Sequence, residues 1–307
     1  MGKTAFVFPG QGAQSVGMGK DFYEANPASR EIIDSADQAL GFPLSKLMFE
    51  GPDGELKKTF NTQPALLTAS IAALAALRER GIAPDYVAGH SLGEYSALVA
   101  SGVLGFEDAV KLVRARGEFM EAAVPGGQGA MAAVLGADRS ALEQLCRSIT
   151  EEGLLVEMAN INCPGQIVVS GSKEGVAAVG ERVKEAGGKR AIPLEVSGPF
   201  HSSLMKEAAG KLAAKLAEAA FHEPAVPVVA NVTARPAENA DRIRELLVEQ
   251  VYSPVLWEDT VAYLIAEGVD TFVEIGPGNV LTGLVKKMDK TVKLININTL
   301  ESLSGNF

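Results

Sequence analysis

Cysteine, histidine and tryptophan are scarce in this chain: two, three and one among 307 residues. Two cysteines, Cys146 and Cys163, cannot build a disulfide framework and fit a reducing compartment. No His, Cys or acid spacing forms a metal-ligating pattern, so neither a metal nor a redox cofactor is expected. An excess of positive charge is also missing. Lys and Arg total 28 against 38 Asp and Glu, a net charge of −10, which argues against nucleic acid as a general partner. No uninterrupted apolar run approaches the eighteen or so residues of a membrane span. The N-terminal apolar segment, ending at Phe8, is too short for a signal peptide. A cytoplasmic protein without a membrane partner is the expectation.

What is present is ordinary globular material, 47% hydrophobic and 21% charged, long enough to bury a large core. Thr4–Phe8 reads as a buried strand stopped by Pro9-Gly10. Pro64 opens, and Gly81 closes, an apolar helix. A strand at Tyr86–Ala88 precedes helices at Leu92–Ala100 and Phe106–Ala123. From Pro125 the texture changes to strand, helix, two strands joined across Cys163-Pro164-Gly165, helix and strand. That order is the split βαβ, ferredoxin-like arrangement. Strands and helices then alternate again to Ile297, which implies a mainly parallel sheet covered on both faces. The expected fold is α/β: a large domain from residues 1–124 and 197–307, with a small ferredoxin-like domain, 125–196, inserted into it.

Between the Tyr86–Ala88 strand and the Leu92 helix stands Gly89-His90-Ser91-Leu92-Gly93, a G-x-S-x-G. In that context it reads as a nucleophile elbow, a turn so tight that glycines must flank the serine and lift its hydroxyl into the open. The helix start leaves unpaired N–H groups beside the reacting oxygen, with Leu92 N–H as one oxyanion donor. A serine nucleophile needs a base. His90 adjoins Ser91, but neighbouring side chains on a sharp turn diverge, so it is read as packing or hydrogen-bonding beside the elbow. His222, next to Glu223-Pro224, reads as exposed and idle. His201, in a Gly-Pro loop ahead of a helix, is the candidate base. No acid stands out as a third member. Glu195 is available, but it reads as a strand residue facing solvent.

Six ordered motifs extend the pattern: Phe8-Pro-Gly-Gln-Gly-Ala-Gln14, Thr62-Gln-Pro-Ala-Leu66, Gly89-His-Ser-Leu-Gly-Glu94, Arg116-Gly117, Gly198-Pro-Phe-His201-Ser and Gly276-Pro-Gly278. Together they closely resemble the malonyl-CoA:acyl carrier protein transacylases of type II fatty acid synthesis, over nearly the whole chain. The resemblance implies a hydrolase-like α/β core with a ferredoxin-like insert. It implies Ser91 as the acylated nucleophile and His201 as its base, oriented by the backbone carbonyl of Gln250 in place of a carboxylate. It also implies Gln11 N–H as the second oxyanion donor.

A malonyl group carries a free carboxylate, which a planar guanidinium can hold through two parallel charge-assisted hydrogen bonds. Arg114 and Arg116 point about 200° apart on one helix. Spacing alone chooses neither; the Arg-Gly-x-Phe-Met match selects Arg116. Met120, Met131, Asn160 and His90 are further candidates around the pocket. Cys163 has neither base nor elbow and reads as a packed thiol. The implied reaction is ping-pong transfer of malonyl from malonyl-CoA to the phosphopantetheine thiol of acyl carrier protein, by a monomer. A serine thioesterase or esterase, a malonyl loader for polyketide synthesis and a non-enzymatic carrier-docking module are the alternatives. Because carrier proteins are acidic, a local basic patch is expected at Lys286-Lys287, Lys189-Arg190 or the Lys211/Lys215 face.

Overall fold

The computed structural model describes residues 2–306. Strand β1 (Lys3–Phe8) has lost the in–out alternation of a half-exposed strand: Ala5, Phe6, Val7 and Phe8 are all at most 1% exposed. Such a run belongs at the centre of a sheet covered on both faces. β1 pairs in parallel with β2 (Tyr86–Gly89) on one side and β9 (Val269–Ile275) on the other. The order is β10-β9-β1-β2-β7-β8, with β10 at Lys293–Ile297, β7 at Val228–Ala230 and β8 at Arg235–Pro236. Every pairing is parallel except β7–β8, a two-residue antiparallel edge that the sequence did not announce. Parallel strands aim their carboxyl ends the same way, so the loops after β1, β2 and β9 gather at one edge.

The second sheet is wholly antiparallel. Its order is β4-β5-β3-β6, built from β3 (Gly129–Leu135), β4 (Val156–Cys163), β5 (Gln166–Ser172) and β6 (Arg190–Pro193). Helices Arg139–Glu151 and Lys173–Arg182 bury Leu142, Leu145, Ile149, Val176 and Val179 in one apolar cluster with this sheet. β4 is stitched to the rest of the chain through Val255, whose N–H donates to Ala159 O (2.8 Å) and whose carbonyl accepts from Ile161 N–H (2.9 Å).

The helix expected from Pro64 begins earlier, at Thr59, and runs to Arg78. An internal proline leaves the carbonyl four residues before it without its helical donor. Here that carbonyl is Phe60 O, and Arg114 Nη1 donates to it at 3.2 Å, so the helix continues through Pro64. By length and composition this helix is able to cross a membrane, but 89% of its apolar window is buried inside the protein. It is the central core helix, packed closely on Phe106–Ala122. A Cβ at Gly117 would stand 2.6 Å from Phe60 Cα, which is why the second helix tolerates a glycine in its middle.

Other boundaries move for local reasons. β6 pairs only to Pro193, four residues beyond Lys189, and Leu194 and Glu195 lie past its end. After Ser202 the chain makes a 3₁₀ turn, Ser203–Met205, and then the helix Lys206–Glu218. Lys173–Arg182 likewise tightens into a 3₁₀ turn, Val183–Ala186, before left-handed Gly187. A final helix, Leu300–Asn306, was not anticipated.

Candidate active site

The turn after β2 is strained. Ser91 has φ 52° and ψ −107°, a left-handed backbone for a residue with a Cβ, which costs on the order of 1–3 kcal/mol. The flanking glycines have no substitute. A Cβ on Gly89 would fall 1.9 Å from the Gly93 carbonyl, and one on Gly93 would fall 2.1 Å from Phe8 O. Asn231, wholly buried at the end of β7, braces the bend. Its Oδ1 accepts Ser91 N–H at 2.7 Å and its Nδ2 donates to Gly89 O at 2.6 Å.

His201 comes to the serine from a loop more than a hundred residues later. Its Nε2 lies 2.8 Å from Ser91 Oγ, and its Nδ1 lies 2.8 Å from the backbone carbonyl of Gln250. A carbonyl only accepts, so Nδ1 carries the proton and the Nε2 lone pair faces the hydroxyl. Burial, reinforced by the Arg116 charge, pushes His201 down to about 3. The imidazole is therefore neutral near pH 7, the form that can take a proton from serine. Among the described residues no carboxylate hydrogen-bonds to it. His90 turns away as geometry required: its Nε2 meets Asn162 Oδ1 at 2.8 Å and its ring lies against Trp257. His222 and Glu195 are exposed, and neither lines the cavity around Ser91.

Arg116 is 1% exposed, and its fork is held by neutral amides. Nη1 donates to Gln63 Oε1 at 2.8 Å; Nη2 donates to Gln250 Oε1 at 2.9 Å and reaches Ser91 Oγ at 3.1 Å. No carboxylate forms an ion pair with it among the described residues. A buried guanidinium without an anion beside it is a costly arrangement, and it favours an anionic guest. Arg114 faces elsewhere, as the 200° estimate required. It pairs with Glu118 at 2.7 Å and lies over the Phe60 ring.

Ser91, His201, Arg116 and Gln63 line a cavity of about 100 Å³. Gln11, Leu92, Met120, Met131, Asn160 and His90 line it as well. Neither Gln11 N–H nor Leu92 N–H finds a protein acceptor among the described residues. A second cavity of about 240 Å³ continues from it, sharing Gln11, His90, Asn160 and Leu194. Cys163 is fully buried, lines neither cavity, and its thiol is raised by burial. A hydroxyl on a strained turn, a neutral base and two free N–H donors can carry nucleophilic acyl chemistry; the buried cation suits an acyl group with a carboxylate.

Three further residues went unassigned from sequence. Gln63 sits inside the Thr62-Gln-Pro-Ala-Leu66 run, and Glu94 closes the elbow motif, so both lay within recognised segments without a role. Asn231 carried no local signal, because its importance comes from where β7 ends in space.

The fold and site define a class of α/β proteins built around a serine at a strand-to-helix turn. Residues 5–302 match the Acyl transferase domain family, and the chain belongs to that family. It is 57% identical over 303 residues to the malonyl CoA-acyl carrier protein transacylase of Bacillus subtilis (strain 168), covering 99% of this chain and 96% of that one. With the protein of the same description from Staphylococcus aureus (strain MRSA252) it shares 50% over 305 residues, covering 99% and 98%. Among solved structures, an acyl carrier protein S-malonyltransferase from Vibrio cholerae superposes with a TM-score of 0.95 at 45% identity, covering 99% of both chains. A malonyl-transacylase in complex with its type II PKS acyl-carrier protein superposes with a TM-score of 0.95 at 46% identity, covering 98% of both chains.

Proposed function

We propose that this protein transfers a malonyl group from malonyl-CoA to the phosphopantetheine thiol of acyl carrier protein through a malonyl-serine. The observation that carries the reading is the position of Ser91 Oγ, 2.8 Å from His201 Nε2 and 3.1 Å from Arg116 Nη2. One oxygen thus stands beside both a base and a cation suited to a carboxylate.

In this reading His201 Nε2 takes the Ser91 proton as Oγ attacks the thioester carbon. The oxyanion is received by the N–H groups of Gln11 and Leu92, donors worth about 3–4 kcal/mol each in comparable sites. The thiolate of CoA leaves with the proton from His201. The carrier thiol then attacks the malonyl-serine, giving its proton to His201, and Ser91 Oγ recovers a proton as it departs. Gln250 O holds the imidazole throughout, and the malonyl carboxylate takes the place of Ser91 Oγ at Arg116 as the hydroxyl reacts. Met120 and Met131 are read as walls of the acyl pocket. The cavity reaching Asn160 and His90 is read as the pantetheine side.

The same reading assigns residues 1–124 and 197–307 to a hydrolase-like domain and 125–196 to a ferredoxin-like insert. The order β4-β5-β3-β6, second, third, first and fourth strands of the insert, supports the latter. It includes a monomer in the cytoplasm, consistent with two free and buried cysteines. For carrier docking it favours Lys286-Lys287, because Lys287 Nζ binds Gln166, a residue lining the second cavity. Lys211 and Lys215 are neutralised by Glu207 and Glu218.

A polyketide carrier is the second reading, favoured by the structural relative solved with such a partner. Intact-mass analysis after incubation with mixed acyl-CoAs tests the chemistry. The expected product is a single malonyl adduct, stable without an acceptor thiol and absent in Ser91→Ala. Rapid loss of the adduct to water would support a thioesterase instead. Competition between fatty acid and polyketide carriers for the loaded enzyme separates the two partner readings.

A further inference from the structure

Behind Ser91, on the side away from the cavity, lies a group of buried polar side chains that the reaction cycle leaves unused. Glu94, in the first turn of the Leu92–Ala100 helix, is 2% exposed. Its Oε2 accepts from Gln250 Nε2 at 2.8 Å and from Asn231 N–H at 3.0 Å. Gln250 is itself fully buried and is used at two places: its backbone oxygen meets His201, and its side-chain oxygen meets Arg116.

A glutamine amide has a donating end and an accepting end, and it can face either way about its last torsion. Here Nε2 faces three oxygens: Glu94 Oε2, Ser91 O at 3.1 Å and Asn231 Oδ1 at 3.2 Å. The other end, Oε1, receives Arg116 Nη2. Reversal of the amide would set an oxygen against three oxygens and an NH₂ against a guanidinium, which only donates. Of the three acceptors, Glu94 alone is a carboxylate, so its bond is the charge-assisted one.

We propose that Glu94 is a positioning residue that fixes which way the Gln250 amide faces and thereby aims Arg116 at the acyl pocket. This rests on the reading of Arg116 as the group that holds the malonyl carboxylate. Without the carboxylate charge the amide keeps only the neutral acceptors Ser91 O and Asn231 Oδ1, so its orientation is held less firmly and the Oε1 anchor of Arg116 weakens while Gln63 stays. The backbone carbonyl on His201 is not part of that rotation, so the base stays in place. Loss of Glu94 therefore acts on recognition of the malonyl carboxylate more than on the chemistry common to all acyl groups.

The charged and titratable groups facing this cluster are Arg116, Tyr95 and His201. Burial pushes Tyr95 well above its ordinary value, His201 sits at about 3, and arginine stays protonated. Burial raises Glu94 to about 7. Between pH 6 and 8 Glu94 is thus the member of the set that changes charge, while a malonyl carboxyl, with a value of about 3–4 by analogy, stays ionised.

The test is the malonyl-to-acetyl ratio of kcat/KM for acylation of Ser91, measured in the full chain for wild type, Glu94→Gln and Arg116→Ala. Glutamine keeps the shape of Glu94 and an acceptor oxygen but removes its charge. Its ratio is expected to fall about tenfold, with the malonyl loss expressed mainly in KM. Damage transmitted to the elbow through Asn231 would slow both acyl groups alike and leave the ratio unmoved. A reduced ratio in Arg116→Ala with an unchanged ratio in Glu94→Gln overturns the positioning role alone. An unchanged ratio in Arg116→Ala overturns the reading of the arginine itself. The wild-type protein supplies a second measurement that does not depend on a folded variant. Its ratio is expected to fall as pH drops through about 7, and a flat profile from pH 6 to 8 overturns the proposal.

Discussion

Two turns in the same parallel sheet make instructive neighbours. After β2 the chain turns through Ser91 into the Leu92–Ala100 helix; after β9 it turns through Gly276-Pro277-Gly278 into Val280–Met288. Both helix starts expose N–H groups that need acceptors. At the second, Glu274 supplies them. It is buried on the strand, and its Oε1 and Oε2 accept from Leu281 N–H at 3.0 Å and Thr282 N–H at 2.8 Å. At the first, the residue in the capping position is a serine, yet Ser91 Oγ caps nothing and meets His201 and Arg116 instead. One start is closed by its own acid and serves stability. The other leaves its Leu92 N–H without an acceptor among the described residues, open to the oxyanion of the proposed reaction. The carboxylate near it, Glu94, is kept behind the turn, where it cannot fill the anion site.

The largest effect expected from breaking this contrast is at the serine. Ser91→Ala should reduce acyl transfer by on the order of 10⁵-fold or more, because nucleophile and base act as one unit. Stability should rise or stay level in chemical denaturation, since alanine at this position loses no capping bond. A large stability loss would mean that Ser91 was a structural cap after all. Glu274→Ala should do the reverse at the other turn. Two buried N–H groups lose their acceptor, a loss of about 2–4 kcal/mol in denaturant unfolding, while Ser91 acylation in the folded protein persists. A change under about 0.5 kcal/mol would remove the capping argument.

The contrast also explains what could be read from the sequence. The elbow was legible because its chemistry is local: Gly89, Ser91 and Gly93 are adjacent, and tight turns have few solutions. The order of most strands and helices, including those of the antiparallel sheet, followed from periodicity and turn residues, whereas β8 and the Leu300–Asn306 helix did not. Arg116 needed more than periodicity, since Arg114 sits two positions away on the same helix and the two differ in their surroundings: Arg116 is held by Gln63 and Gln250, while Arg114 lies over Phe60 and pairs with Glu118. Asn231 and the Gln250 side chain were illegible because their roles depend on where distant elements meet. The early start of the Thr59–Arg78 helix was missed for a similar reason: the donor that lets it pass Pro64 comes from Arg114, fifty residues on.

Two ionisable groups beside the elbow pull stability in opposite directions with pH. His201 falls from 6.5 to about 3 on folding, so its contribution is complete above pH 6.5 and is lost as pH drops toward 3. Glu94 rises from 4.5 to about 7, so its contribution is complete below pH 4.5 and is lost as pH climbs through 7. Glu94→Gln removes only the second term. Unfolding free energies of wild type and variant, measured from pH 4 to 8, should therefore shift in the variant's favour as pH rises. A constant difference across that range would show that burial does not hold Glu94 protonated.

The smallest effect is expected at the far end of the helix that Glu274 caps. Lys286 and Lys287 occupy its last turn, both are exposed, and neither forms an ion pair among the described residues. Two cations at a helix C-terminus complement its dipole, so their reversal costs little stability but alters the field at the mouth of the second cavity. The double variant Lys286→Glu, Lys287→Glu should slow transfer to carrier protein by about three- to tenfold at low ionic strength. The deficit should shrink as salt rises, because exposed charges are screened over about 10 Å at 0.1 M. Transfer to free pantetheine, which presents no acidic surface, should change far less. Equal slowing with both acceptors would place the effect in the cavity and not in carrier docking. No slowing with either would move the docking surface to Lys189 and Arg190, beside the exposed edge of β6.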